Sequence, residues 1–113
     1  MKLVLVNKPD LSIMPSPGGN SYITVIGANA VQKVTVIDDP TMSVDNFHVC
    51  TKIIINCTYQ AGSSSVPDVV TIMGTSTCST INNQPMIVLG DKGSGSVVKA
   101  NVVSCGQTST SID

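Results

Sequence analysis

The chain has 113 residues, room for one compact domain spanning residues 1–113, with a net charge of −1 from six Lys and seven Asp. It has no Glu, Arg or Trp, and its apolar content is carried by Val and Ile, which suit a pleated surface and predict an all-β class. Scattered Lys without Arg give no basic stripe to displace counterions from phosphates, so nucleic-acid binding is not expected.

In chain order, Lys2-Leu3-Val4-Leu5-Val6 reads as a first strand, stopped by Pro9. This stretch is too short for a signal-peptide apolar region, so Sec export is not expected and synthesis is assigned to the cytoplasm. Met14-Pro15-Ser16-Pro17-Gly18-Gly19-Asn20 is a turn-rich connector. Residues 22–26 follow as a strand, then Gly27-Ala28-Asn29-Ala30 as a tight turn. Residues 32–37 set Gln, Lys and Thr against Val, Val and Ile, the period-2 mark of a half-buried strand, which Asp38-Asp39-Pro40 should end. Residues 47–59 form the longest β-prone run, with Ile53-Ile54-Ile55 apolar enough to be covered on both faces. Residues 61–65 with Pro67-Asp68 read as a polar loop, and residues 69–73 as a strand ended by Gly74. Residues 75–81 and 84–89 read as hairpin arms across Asn82-Asn83. Residues 90–95 read as a sharp turn, 96–104 as the last long strand, and the Ser/Thr-rich tail Gly106 to Asp113 as frayed at its end. This many short strands suits a sandwich, a barrel or a folded β-cone.

Four Cys are a heavy load for a short chain. Cys50, Cys78 and Cys105 stand 28 and 27 residues apart, and Cys50-Thr51-Lys52-Ile53 shares a Cys-(Ser/Thr)-x-Ile pattern with Cys78-Ser79-Thr80-Ile81. His48 lies two residues before Cys50, on the same face of an extended strand. Three thiolates and one imidazole would satisfy tetrahedral zinc with no open position for substrate. Two other readings stay open: buried free thiols acting as small hydrophobes, and disulfides offsetting a thin core. Cys57, seven residues from Cys50, should face the opposite side of a regular strand and serve packing.

Catalytic readings are weak. A Ser-His-Asp triad can be drawn on paper from one His, but no Gly-x-Ser-x-Gly elbow occurs, and Asp38-Asp39 beside Pro40 reads as a turn. Asn56-Cys57-Thr58 matches a glycosylation sequon inside the strongest strand. No enzymatic activity is expected.

The segment Ile81-Asn82-Asn83-Gln84-Pro85-Met86-Ile87-Val88-Leu89-Gly90-Asp91 resembles a hairpin element of the PAAR and PAAR-like proteins. In that element a short Asn-Gly turn leads into a small residue, Pro, an apolar strand and Gly-Asp; Asn83 stands where Gly is usual. The resemblance implies a small β-cone of short strands and hairpins. It also implies a structural role, capping the trimeric β-helical central spike of a contractile phage tail or a type VI secretion system. The chain would then sit as a monomer on that VgrG-like trimer, at the virion baseplate or secretion-apparatus tip, facing a bacterial outer envelope. Family apices hold a metal through His and Cys. Here His48, Cys50, Cys78 and Cys105 would supply it, binding structural zinc rather than iron. The alternative is a non-catalytic β-sandwich decoration or binding domain of a capsid or cell surface.

Overall fold

The structure is a computed structural model that describes residues 2–9, 22–75, 80–81, 84–108 and 110–112. Its elements among these residues are strands: β1 (Lys2–Leu3), β2 (Ile23–Ile26), β3 (Ala30–Val44), β4 (Phe47–Ala61), β5 (Ser64–Met73), β6 (Thr80–Ile81), β7 (Gln84–Pro85), β8 (Lys92–Ser94), β9 (Lys99–Val102) and β10 (Ser111–Ile112). Six of them form one antiparallel sheet in the order β2-β9-β8-β5-β4-β3, curled but not closed, so that the domain is a partial barrel. The pairs β1-β10 and β6-β7 are separate two-stranded ribbons.

The long meander β3-β4-β5 is the frame. Asp45 and Asn46, at φ 53° and 70°, connect β3 to β4 in the left-handed region that Asp and Asn tolerate. Gly62, at φ 62°, turns β4 into β5. Three register shifts interrupt the β3–β4 ladder. Gln32 is an extra residue on β3, Thr51 an extra residue on β4, and residues 40–42 an excursion on β3 between Asp39↔Val49 and Ser43↔His48. Asp38-Asp39-Pro40 therefore does not end the strand as the sequence suggested. Proline is accommodated because β3 is an edge strand and because the bulge takes its missing N–H out of the ladder.

The bulge at Thr51 also decides where side chains point. Ile53, Ile55 and Cys57 alternate inward, and after the extra residue Cys50 points inward as well. Cys57 and Cys50 thus share one core, against the expectation of opposite faces, because a one-residue slip inverts side-chain parity. Ile54 lies half-buried on the outer face rather than covered on both sides.

The curl of the sheet encloses the larger core, built on Leu5, Ile23, Ile53, Ile55, Ile72 and Ile87, each fully buried. A second cluster gathers Val4, Val6, Val44, Val49, Met86 and Val88. The N-terminal segment is the wall between them, with Leu5 turned to one core and Val4 and Val6 to the other. Its backbone is held on all sides. The Leu5 N–H donates to the Ile87 carbonyl (2.9 Å), the Ile87 N–H to Cys50 (3.0 Å), and the Cys50 N–H back to Leu5 (3.0 Å). Three distant segments close a ring of backbone hydrogen bonds, which satisfies polar groups that burial would otherwise penalise. The Val6 N–H reaches the Cys105 carbonyl at 3.2 Å, and Lys2 and Leu3 pair with Ile112 and Ser111.

That last pairing corrects the expectation of a frayed tail. Buried Gln107 pins it, its Nε2 donating to the carbonyls of Val4 (2.7 Å) and Thr110 (2.9 Å). The expected hairpin of residues 75–89 is present but short, in the register Thr80↔Pro85 and Ile81↔Gln84. Asn82, Asn83 and the residue 14–20 connector lie outside the described residues.

Two supposed loops are strands. Pro67 and Asp68 lie within β5, and Lys92–Ser94 is β8. Gly93 makes β8 possible: a Cβ there would overlap the Thr71 carbonyl, so only Gly lets the two backbones come this close. The span between β8 and β9 is a turn rather than part of a long strand. It is organised by the buried Asp68 carboxylate, which accepts the N–H groups of Ser96 (2.9 Å), Val97 (3.0 Å) and Val98 (3.0 Å) besides that of Val69 (2.9 Å).

Candidate functional site

The described candidate metal ligands, His48, Cys50 and Cys105, fall at the N-terminal end of β4 and the chain behind it. His48 stands at the surface, 44% exposed, its Nδ1 3.4 Å from Asp38 Oδ2; the same oxygen accepts from Asn7 Nδ2 at 2.9 Å. Asp38 is opposite Cys50 in the β3–β4 register. Asp38 thus belongs to this cluster, which sequence reasoning missed by assigning Asp38-Asp39-Pro40 to a turn; a β-prone run on both sides was the available signal.

The thiols lie deeper. Cys50 is fully enclosed and Cys105 nearly so, while Cys57 is buried on the same side of β4. All three are free thiols. Cys105 Sγ donates to the Leu3 carbonyl (3.3 Å) and Cys57 Sγ to the Asp68 carbonyl (3.5 Å). Burial drives the Cys50 thiol far above its ordinary pKa, and the negative charge of Asp38 and then Cys105 push the same way. Burial, then Asp91, lift Cys105 to about 11. Burial, with Asp68 behind it, raises Cys57 too. As nucleophiles these groups are inert at neutral pH, since the thiolate is the reactive form.

The structure places His48, Asp38 and Cys50 on neighbouring positions and sets Cys105 behind Cys50. Cys78, which the spacing made the fourth ligand, lies outside the described residues. Among the described residues no group of three or more His, Cys and Asp side chains is disposed to hold a metal ion. His48 faces solvent while the two sulfurs sit inside, so these three alone do not fit a closed tetrahedral site.

The other candidate site is an edge. Among the described residues β3 ends the sheet, paired with β4 on one side only. Between its bulges, residues 33–37 run in regular register against residues 52–56, with Val34 and Val36 turned inward and only partly buried against the larger core. Backbone groups on the free side of this stretch and an incompletely covered apolar row are what an added strand would use. Comparison with known proteins places no relative beside the chain: no family model, no curated protein and no solved structure matches it.

Proposed function

We propose that the chain is a non-catalytic structural part of a larger assembly, a cap or tip that docks on a β-rich partner through the free edge of β3. The observation that carries this reading is the unsealed side of the partial barrel, where Val34 and Val36 are half-covered and residues 33–37, paired with β4 on one side, have no neighbouring strand on the other among the described residues. One strand laid along it would continue the sheet and cover both valines. The bulges at Gln32 and beyond Ile37 limit the landing site to about five residues, which discourages indiscriminate edge pairing.

The finer reading draws on the PAAR-like segment 81–91 and makes the partner the trimeric β-helical spike of a contractile injection system. The chain would be its β-cone tip, presented to a bacterial envelope. In the metal-stapled form of this reading, Cys78 joins His48, Cys50 and Cys105 around zinc.

The test is co-purification with a recombinant trimeric β-helical spike. Val36→Lys puts a charge on the docking edge at a position where the stem can still reach water. It should abolish the complex while leaving the circular-dichroism spectrum unchanged and lowering Tm by no more than the partial burial of Val36 against the core accounts for. A wild-type chain that captures no such spike, or a V36K chain that captures it equally well, defeats the docking reading. Elemental analysis of the purified protein addresses the staple: stoichiometric zinc supports it, and four free thiols without metal remove it.

A further inference from the structure

The net charge of −1 conceals a strong segregation. The described carboxylates are mostly turned to internal work: Asp68 and Asp91 are buried against backbone amides, Asp39 takes the Thr41 N–H and hydroxyl, and Asp38 faces His48 and Asn7. The lysines are not. Register and alternation place Lys33, Lys52, Lys92 and Lys99 on the outer face of the sheet, opposite to the core, and no described carboxylate pairs with any of them.

The tightest grouping is on the β8–β9 hairpin. Lys92 is opposite Asn101 and Ser94 opposite Lys99, so the four side chains form a rectangle with the lysines on one diagonal. They border an open depression of about 280 Å³ whose corners are all hydrogen-bond donors. On the next strand Ile26 is paired with Lys99 and Thr24 with Asn101. Two exposed aliphatic side chains flank Lys99: Ile26 (53%), opposite it on β2, and Val97 (50%), two residues before it.

From this patch we infer that the outer β2-β9-β8 face is a lipid-facing surface, which rests against a bilayer carrying anionic phosphate headgroups. Lysine ammoniums would take the phosphates while the aliphatic side chains enter the headgroup boundary. The composition distinguishes this occupant from two others. A duplex or single strand would leave Ile26 and Val97 uncovered, and the face has no Arg or aromatic ring to hold bases. A protein interface draws its energy from Trp, Tyr and Arg and is depleted in Lys, the reverse of what is present. Asp68 and Asp91 are the acids closest in sequence and fold, and their charges are bound inward by amides. The surface is separate from the β3 edge, at the opposite end of the strand order, so it stands or falls independently of the docking proposal.

Co-sedimentation with vesicles tests it. The protein should pellet with phosphatidylcholine vesicles containing phosphatidylglycerol, not with phosphatidylcholine alone, and release as salt is raised. Lys92→Glu with Lys99→Glu should lower the partition coefficient by about tenfold or more, taking each lysine near an anionic surface at its usual weight. The charge-matched pair Lys33→Glu with Lys52→Glu, on β3 and β4, should lower it far less. Should the Glu pair fail to fold, Lys92→Gln with Lys99→Gln removes the charge without adding repulsion and must still weaken binding. Equal binding to neutral vesicles, equal loss in both Glu pairs, or capture of duplex DNA without vesicle binding would each overturn the inference.

Discussion

Asp68 shows how one carboxylate can organise a turn. Burial works against its charge, but the N–H groups of Val98, Val97, Ser96 and Val69 favour it more strongly and hold its pKa at about 2. A folded-state pKa below the unfolded value means that the stabilisation is complete above the ordinary carboxylate range and lost as pH falls through the folded value. Unfolding free energy should therefore drop by about 1–2 kcal/mol between pH 4 and pH 2 on account of this group. Asp68→Asn should remove that step in urea titrations across the interval, because it keeps an acceptor but no charge. Asp68→Ala, leaving backbone donors unmet, should cost more, about 3 kcal/mol at neutral pH. A wild-type acid step that survives in the Asn variant would assign it to another carboxylate. The thiols make a second residue-scale prediction. Cys50, Cys57 and Cys105 should be silent to an aromatic disulfide reagent at neutral pH in the folded protein and react together on unfolding. Exposure of even one at the native rate would contradict their burial.

At the scale of elements, the N-terminal segment is the closure of the fold. Leu5 sits in the larger core and supplies both a donor and an acceptor to the ring with Cys50 and Ile87. Leu5→Ala should cost about 2–5 kcal/mol by urea denaturation, whereas Ile26→Ala on the outer face should stay within about 0.5 kcal/mol. Comparable losses at both positions would remove the segment's special place. The apolar run over residues 2–6 was legible as extended chain, although only Lys2–Leu3 pairs as a strand and Val4 and Val6 make single bridges; its location between two cores was not legible, since that depends on distant partners such as Val49, Cys50 and Ile87. Strands β2, β4 and the core half of β5 were legible for the same reason, from β-branched runs bounded by turns. What was hidden depended on single residues acting at a distance. Thr51 inverts the side-chain parity that set Cys57 apart from Cys50, and nothing local to Thr51 marks it as a bulge. Gly93 read as a flexible turn because its close approach to Thr71 is a tertiary fact. Asp68 read as a loop residue because its partners lie about thirty residues on. For the candidate site, the periodic spacing singled out Cys50 and Cys105, which lie near enough for the charge of one to bear on the other, while Asp38 escaped notice and Cys78 lies outside the described residues.

For the whole molecule, a partial barrel must settle where its stability resides, because an open sheet has one well-covered side and one that is not. Full enclosure extends to the junction of the N-terminal wall, the start of β4 and residues 86–88, where all six residues Val4, Leu5, Val6, Val49, Cys50 and Ile87 are fully enclosed. The opposite end of the β4–β5 hairpin is the reverse, with Gln60, Ala61, Gly62, Ser63, Ser64 and Ser65 all exposed and hydrogen bonds such as Gln60 Nε2 to the Gly62 carbonyl open to water. Local opening free energy should therefore be graded along β4 within one continuous strand. Native-state amide exchange should find the Leu5, Cys50 and Ile87 amides slowest, exchanging only with global unfolding, and the amides of residues 61–65 fastest. The N–H of Val98, held by buried Asp68, should fall between them and accelerate in Asp68→Asn without change at Leu5. Should the N-terminal amides exchange as freely as the hairpin tip, the ring of backbone bonds would be a static contact with no part in holding the barrel closed, and the rigidity that a docked cap requires would have to come from its partner.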